Sequence, residues 1–361
     1  MEHKKSVINF GAGPAALPQE VLKEASDAVL NYKQSGLSIL EIPHRNSHLF
    51  EKILSESKRL VLELSRLNAD EYEVLWMQGG GRMQFAMIPM NFLATEATAG
   101  YIDSGSWAHD AQEHARLYGK VHTVTSSRTK NYTSLPLLNE PIEASLSYLH
   151  YTTNNTIYGT QFSAIPDSSV PLFADMSSDI FSEQRDYSRY DLFYAVAQKN
   201  LGAAGVTLVV LKKKLLDKIV RPLPPILDYR QQALHNSVLN TPPVFGIYVS
   251  LLTLRWIKNR GIKSIEKENL AKANLLYSEI DRNSLLLPIV HPNDRSKMNV
   301  VFRADSLQTE KKLIAFAAQN GIEGIAGHRS VGGFRVSLYN SISIEQVEKF
   351  VSLLQKFEQN V

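Results

Sequence analysis

The stretch LFYAVAQKNLGAAGVTLVVL, residues 192–211, decides the fold prediction for this chain. Its two apolar runs, 192–195 and 206–211, have the length and composition of strands that are covered on both faces. Between the runs lie Lys199 and a loop rich in glycine and alanine. Buried strands of this kind are typical of an α/β protein, in which helices pack on both sides of a sheet.

Strand and helix patterns alternate on either side of this stretch, which favours an α/β fold. Helical periodicity begins near Pro18, and a further helix follows Ser106, whose hydroxyl we expect to cap it. A long helical pattern ends near Gly261. The other strands that apolar runs predict lie at 74–77, 101–103, 121–124, 146–151 and 170–174.

A second unit begins near residue 262. It contains helical patterns at 265–280 and 313–319 and strand patterns at 299–303 and 335–339, and Ser343 with Gln346 resembles a capping box before a last helix. We therefore predict a large domain at 16–261, with a mainly parallel sheet flanked by helices. A smaller α+β domain is predicted at 262–361, together with the N-terminal segment 1–15.

The composition excludes several classes of protein and of chemistry. Hydrophobic residues make up 44% of the 361 residues, which is enough for a large core and excludes a disordered chain. The net charge of +3 does not favour nucleic acid as a partner. The chain has no cysteine, which excludes disulfides, cysteine-bound metal centres and thiolate catalysis. We find no apolar run long enough for a signal peptide or a membrane span, and expect a cytoplasmic protein.

Four strand ends carry residues that suit a ligand site, since ligands of open α/β sheets bind beyond the carboxyl ends of the strands. They are the glycine triplet 79–81 with Arg82, the carboxylate of Asp175, the amine of Lys199 and the indole of Trp107. Each also has an ordinary structural interpretation. The triplet could be a tight turn, Asp175 a helix cap, Lys199 a surface lysine and Trp107 a core residue.

Asp175 and Lys199 together favour a site for pyridoxal phosphate. In such a site a lysine forms a Schiff base with the cofactor, and an acid keeps the ring nitrogen protonated. A lysine that is buried has a pKa below its usual value of about 10.4, which makes the amine available as a nucleophile.

Eight short motifs support this interpretation. They are NFGAGPA (9–15), EIPHR (41–45), QGGGRMQF (78–85), ADMSS (174–178), AQKN (197–200), NTPP (240–243), GHR (327–329) and GGFR (332–335). In this order they resemble the phosphoserine aminotransferases, a group of the class V aminotransferases among the fold-type I pyridoxal phosphate enzymes. The resemblance covers nearly the whole chain.

The resemblance implies pyridoxal 5'-phosphate as the cofactor, and no metal. It implies that Lys199 is the Schiff-base lysine and moves a proton, that Asp175 contacts the ring nitrogen, and that Trp107 stacks on the ring. Asn240 and Thr241 would reach the cofactor phosphate of a neighbouring subunit, which implies a homodimer with shared active sites. The other implied cofactor contacts are Thr156 near the phenolic oxygen and Gly81, Arg82 and Gln198 at the phosphate.

The resemblance also implies the substrates. These are phosphoserine and 2-oxoglutarate, converted reversibly into 3-phosphohydroxypyruvate and glutamate in serine biosynthesis. A four-carbon analogue, 4-phosphohydroxy-L-threonine, is a further substrate of some relatives. Arg335 would bind the α-carboxylate. The residues implied for the distal phosphate or carboxylate are Arg45, His328 and Arg329, with His44 beside Arg45.

Other functions remain as alternatives. The nearest is an alanine– or serine–glyoxylate aminotransferase of the same class, whose substrates lack a phosphate. A cysteine desulfurase is excluded because the chain has no cysteine. A dinucleotide-binding dehydrogenase would need a third spaced glycine after the triplet and would leave Lys199 without a role. A non-catalytic binding module would not need the Lys199–Asp175 pair.

Overall fold

The computed structural model describes residues 7–360. The α-helices of this part of the chain are α1 (Gln19–Asn31), α2 (His48–Ser65), α3 (Gly80–Phe92), α4 (Ser106–Ala115), α5 (Ala197–Asn200), α6 (Tyr229–Leu234), α7 (Val244–Arg260), α8 (Ile262–Arg282), α9 (Leu307–Gln319) and α10 (Ile344–Asn360). The strands are β1 (Ile8–Asn9), β2 (Tyr72–Met77), β3 (Thr98–Asp103), β4 (Lys120–Ser126), β5 (Leu149–Thr152), β6 (Leu172–Asp175), β7 (Leu192–Val196), β8 (Thr207–Lys212), β9 (Leu286–Pro288), β10 (Asn299–Ala304), β11 (Ile322–Glu323) and β12 (Phe334–Ser337).

The main sheet has seven strands in the order β2-β8-β7-β6-β5-β3-β4. Strand β8 is antiparallel to both of its neighbours, and the other neighbouring pairs are parallel. The predicted α/β class with a mainly parallel sheet is therefore confirmed. The carboxyl ends of β2, β3, β5, β6 and β7 all reach the same edge of the sheet, because these strands share one direction.

The core lies on both faces of this sheet. Along β7, Phe193 and Ala195 pack into one buried apolar cluster, whereas Leu192 and Tyr194 pack into the other. This alternation follows from the two-residue repeat of a strand. Full burial of a side chain such as Phe193 stabilises the fold by about 2 kcal/mol. With both faces covered, ligands can approach these strands only at their ends.

The C-terminal part of the chain has its own sheet and core. Strands β12, β10 and β9 form an antiparallel sheet, and helices α8, α9 and α10 contribute to the apolar cluster around it. The N-terminal segment joins this part, because β1 pairs with β11 and Phe10 packs on Phe350. Residues 1–6 of the predicted segment 1–15 lie outside the described residues. The domain boundary after Gly261 stays a prediction.

The cap predicted at Ser106 was wrong, and the alternative interpretation of Asp175 as a helix cap does not hold. Helix α4 follows Gly105 without a side-chain cap, and the Ser106 hydroxyl bonds instead to that of Tyr158 at 3.0 Å. Asp175 caps no helix, since its Oδ1 accepts a hydrogen bond from the backbone N–H of Ser177 at 2.9 Å within a turn. The charged group thus stays at the end of its strand.

The predicted capping box before the last helix is confirmed. The backbone N–H of Ser343 donates to Oε1 of Gln346 at 3.0 Å, and the N–H of Gln346 donates back to the Ser343 hydroxyl at 3.4 Å. Among the described helices, none combines the length and the apolar character that crossing a bilayer requires.

Candidate active site

The carboxyl ends of the parallel strands enclose a cavity of about 290 Å³, which we call the Lys199 cavity. The turns after β2, β3, β6 and β7 all contribute to its wall. The sequence analysis placed candidate residues on these four strand ends, and the structure brings them together. The lining residues are Gly79, Gly81, Arg82, Phe85, Trp107, Asp175, Ser177, Val196, Gln198 and Lys199.

Lys199 lies in the short helix α5, directly after β7. Its Nζ donates a hydrogen bond to the hydroxyl of Thr156 at 2.7 Å. Burial lowers the pKa of Lys199 to about 8, an effect that the nearby Asp175 opposes and the positive charge of Arg335 reinforces. About one tenth of this amine is therefore uncharged at pH 7, far more than for an ordinary lysine, and can attack a carbonyl carbon.

Asp175 ends β6, the strand next to β7, and is 5% exposed. The backbone N–H of Ser177 holds its Oδ1, and the Ser177 hydroxyl accepts a hydrogen bond from the N–H of Val196 at 3.2 Å. Within the described residues, no lysine, arginine or histidine forms a salt bridge with this carboxylate. A buried carboxylate without a cationic partner is suited to a ligand that carries a positive charge.

The N-terminus of α3 opens onto the same cavity and suits an anion. Gly79 and Gly80 have φ values of 91° and 68°, a conformation that glycine adopts without strain. No side chain caps the first turn of this 13-residue helix, so its free N–H groups are available to a phosphate. Gln198 lies on the same wall of the cavity.

Trp107 lies in the first turn of α4, on the wall of the cavity. The guanidinium of Arg82 sits 5.3 Å from the centre of the indole ring and forms an ion pair with Asp110 at 3.0 Å. The side chain of Arg82 is 66% exposed. The charged end of Arg82 is therefore engaged with Trp107 and Asp110 near the surface.

Arg335 comes from β12 in the C-terminal part of the chain. It is partly buried, its Nε has no hydrogen-bond partner, and among the described residues no carboxylate forms a salt bridge with it. Its charge is close enough to lower the pKa of both Lys199 and His328. Arg329 beside His328 is exposed. The structure thus places Arg335 near both Lys199 and His328, although none of the three predicted substrate residues lines the Lys199 cavity itself.

Four other predicted residues do not reach the Lys199 cavity within this chain. We call His44, Arg45, Asn240 and Thr241 the loop cluster. The guanidinium of Arg45 donates to the carbonyl of Leu239 at 3.2 Å, and the amide of Gln78 donates to the carbonyl of Thr241 at 2.9 Å. Asn240 lines a separate cavity of about 250 Å³, which shares only Gly79 with the Lys199 cavity.

Three residues of the cavity wall were not among the predicted site residues: Phe85, Ser177 and Val196. Ser177 could have been found, because it follows Asp175 by two residues at a strand end. The positions of Phe85 and Val196 depend on how α3 packs against β7, which no local pattern contains.

The class V aminotransferase family model matches residues 7–350. The chain belongs to this family. It is 48% identical to a phosphoserine aminotransferase of Flavobacterium johnsoniae, over 98% of this chain and 99% of that protein. A phosphoserine aminotransferase of Bacillus cereus is 42% identical, over 98% of both chains.

Solved structures agree with this membership. The phosphoserine aminotransferase of Bacillus circulans subsp. alkalophilus superposes with a TM-score of 0.94 at 42% identity, over 97% of this chain and 98% of that one. A phosphoserine aminotransferase of Trichomonas vaginalis with bound pyridoxal phosphate has a TM-score of 0.92 at 31% identity, over 97% and 99%. The fold-type I architecture predicted from the sequence is confirmed.

As a class V aminotransferase, the chain is a pyridoxal phosphate-dependent enzyme. The Lys199 cavity fits that cofactor chemically. It offers a partly neutral amine for the aldehyde, a carboxylate without a cationic partner for the ring nitrogen, and an uncapped helix N-terminus for the phosphate. Trp107 supplies a flat aromatic surface.

Proposed function

We propose that this aminotransferase exchanges an amino group between O-phospho-L-serine and 2-oxoglutarate, and so interconverts them with 3-phosphohydroxypyruvate and L-glutamate. The observation that carries the proposal is the position of Arg335. It is a partly buried cation without a carboxylate partner among the described residues, close to both Lys199 and His328. Relatives at 42–48% identity that bear the name phosphoserine aminotransferase support the same substrate.

The cofactor, when bound, supplies an electron-withdrawing ring that makes the α-hydrogen of an amino acid acidic. Asp175 would keep the ring nitrogen cationic with its buried negative charge. The N–H groups of Gly81 and Arg82, together with Gln198, would hold the phosphate. Lys199 would remove the α-proton of the amino-acid substrate with its Nζ and carry it in the proton shift of the reaction. Thr156 accepts a hydrogen bond from the lysine amine and so orients it.

Recognition of the substrate needs several cations, because phosphoserine carries a carboxylate and a phosphate whose second pKa is about 6. We assign the α-carboxylate to Arg335, whose planar guanidinium can bind both oxygens. We assign the phosphate to His328 and Arg329. In the other half-reaction, the same two residues bind the side-chain carboxylate of glutamate.

We further propose a homodimer in which the loop cluster of one subunit completes the site of the other. Arg45 would reach the substrate phosphate with His44 beside it, and Asn240 and Thr241 would reach the phosphate of the cofactor. The exposure of three of these side chains and their separation from the Lys199 cavity support this arrangement. We place the enzyme in the cytoplasm and in L-serine biosynthesis, because a bilayer excludes its doubly charged substrates. A role with 4-phosphohydroxy-L-threonine would use the same phosphate contacts.

A substrate panel tests the reaction. Phosphoserine, 4-phosphohydroxy-L-threonine, serine and alanine are each offered with 2-oxoglutarate and with glyoxylate, and kcat/KM is measured. We expect phosphoserine with 2-oxoglutarate to be strongly preferred over serine. If serine or alanine with glyoxylate is the better pair, the proposal is wrong and the chain is a glyoxylate aminotransferase.

The variant Arg329→Ala tests the phosphate contact. We expect kcat/KM for phosphoserine to fall about tenfold or more, because a charge-assisted hydrogen bond to a dianion is lost. The value for alanine should change little. Arg59→Ala, which removes an exposed arginine on α2, is the control. An equal loss for both substrates would contradict a role in phosphate binding.

A further inference from the structure

A tyrosine and a histidine lie behind Asp175, in the buried interior of the sheet. Asp175 and Tyr194 are direct partners in the parallel register of β6 and β7, so their side chains share one face. The Tyr194 hydroxyl lies 3.1 Å from Nε2 of His150. Burial, together with the negative charge of the nearby Asp175, raises the pKa of this phenol well above its usual value. Tyr194 is 0% and His150 is 1% exposed.

The number of hydrogens on the His150 ring and on the Tyr194 hydroxyl determines which group donates in these contacts. Burial lowers the pKa of His150 to about 3, so its ring is neutral and carries one hydrogen. Nδ1 of His150 has no hydrogen-bond partner, and a buried N–H without an acceptor would be costly. The hydrogen therefore sits on Nε2, which donates to the hydroxyl oxygen of Tyr194. The hydrogen of that hydroxyl is then free for the Asp175 carboxylate, which lies beside Tyr194 on the neighbouring strand and can only accept.

We propose that Tyr194 and His150 are positioning residues that form a one-way hydrogen-bond chain from His150 through Tyr194 to Asp175. This chain orients the Asp175 carboxylate for the ring nitrogen of the cofactor. The inference rests on the proposed contact of Asp175 with that nitrogen. A buried carboxylate is stabilised in its charged form by each hydrogen bond that it accepts.

Among the ionisable groups that face Tyr194, Asp175 carries the charge, and Asp175 itself faces the amine of Lys199. The ionisable groups that face Tyr194 are Asp175, His150 and the phenols of Tyr101 and Tyr229. Burial raises the pKa of both phenols above the usual value, so they stay neutral. The ring of Tyr101 packs against His150 at 5.1 Å between centroids. The protonation of the bound cofactor should therefore respond to this chain through Asp175 alone.

The test compares Tyr194→Phe with Tyr148→Phe in the holoenzyme. Tyr148 is also fully buried on this side of the sheet, but its hydroxyl bonds to that of Tyr101 at 2.9 Å. The readouts are the dissociation constant of pyridoxal phosphate and the pH midpoint of the absorbance change of the bound cofactor. We expect Tyr194→Phe to weaken cofactor binding about tenfold, because a hydrogen bond to a charged group is lost. Tyr148→Phe should leave both values close to those of the wild type.

The pH midpoint should move upward in Tyr194→Phe. A positive ring nitrogen repels a second proton on the conjugated group next to it, and so lowers the pKa of that group. When Asp175 holds the ring charge less firmly, this repulsion weakens. A loss of packing alone would change the dissociation constant without moving the midpoint.

Two variants of His150 distinguish the loss of its hydrogen bond from the loss of its imidazole ring. His150→Gln can place an N–H near the position of Nε2 and should keep the midpoint near the wild-type value, whereas His150→Leu should raise it. In ¹⁵N-histidine spectra of the apoenzyme, His150 should be the neutral tautomer with hydrogen on Nε2. A hydrogen on Nδ1, or identical midpoints for the two variants, would overturn the proposal.

Asp175→Asn distinguishes this inference from the proposed function. If Asp175→Asn has the wild-type midpoint and affinity, the assignment of Asp175 to the ring nitrogen is wrong. If Asp175→Asn raises the midpoint but Tyr194→Phe behaves like Tyr148→Phe, the cofactor contact stands and the hydrogen-bond chain is refuted.

Discussion

The Lys199 cavity and the loop cluster hold residues predicted for the same reaction, but they lie apart within this chain. In the cavity, Lys199 is held by Thr156 and Asp175 by the N–H of Ser177. In the loop cluster, Arg45 and Asn240 are exposed and bond to neighbouring loop residues. In the proposed homodimer, each chain would supply the residues around its own Lys199 and the loop cluster for the site of the other chain.

We expect the largest effect from replacing Lys199, which tests whether the Lys199 cavity is catalytic. Lys199→Ala should lower kcat by at least about 10³-fold, because it removes both the amine that binds the cofactor and the group that moves the proton. Borohydride reduction of the wild type should attach the cofactor to Lys199, as peptide mapping would show.

Lys272→Met is the matched control. Lys272 is fully buried and burial lowers its pKa to about 7, yet its Nζ donates to the carbonyls of Leu338, Tyr339 and Ile342. We expect its loss to lower Tm without abolishing cofactor attachment. Labelling of Lys272 in place of Lys199 would refute the assignment.

The next effect concerns pH. The attachment rate of pyridoxal phosphate to the apoenzyme should rise with pH, since only the neutral amine of Lys199 reacts. Below a pKa of about 8 the rate should increase about tenfold per pH unit, and it should level off above that value. Stopped-flow absorbance from pH 6 to 9.5 measures this. A rise that continues to pH 9.5 would mean that the amine is not desolvated.

The third prediction tests the loop cluster. Arg45→Ala should lower kcat/KM for phosphoserine by tens of fold, about the value of one charge-assisted contact to a phosphate. In a shared-site dimer, mixing Arg45→Ala and Lys199→Ala chains creates one intact site in each hybrid. After exchange of subunits, activity should return to about one quarter of the wild-type value.

The same mixing experiment also has an outcome that would contradict the shared site. If the hybrids remain inactive while size measurements show that subunits have exchanged, Arg45 acts within its own chain or not at all. The loop cluster would then not complete the site of the other subunit.

The smallest effect concerns Arg335. Arg335→Lys keeps the charge but loses the two-pronged contact, so KM for every amino-acid substrate should rise about tenfold. Arg303→Lys is the control, because Arg303 lies on the neighbouring strand and donates to the carbonyl of Val331 at 2.7 Å. Unchanged KM values in Arg335→Lys would count against carboxylate binding at this position.

Most predicted element ends lie within three residues of those in the structure, but α9 begins six residues earlier than predicted and the cap expected at Ser106 is absent. A serine at a strand–helix junction has several backbone and side-chain partners within reach. Which partner wins depends on neighbours such as Tyr158, which lies far from Ser106 in the sequence.

The sequence alone determined which strands end in Asp175, in Lys199 and in the glycine turn, since strand periodicity and turn chemistry are properties of adjacent residues. Only the tertiary structure decided that β6 and β7 are neighbours, that Arg335 approaches Lys199, and that Arg45 does not. These contacts join segments distant in the chain, and their geometry follows from how the sheet and helices pack.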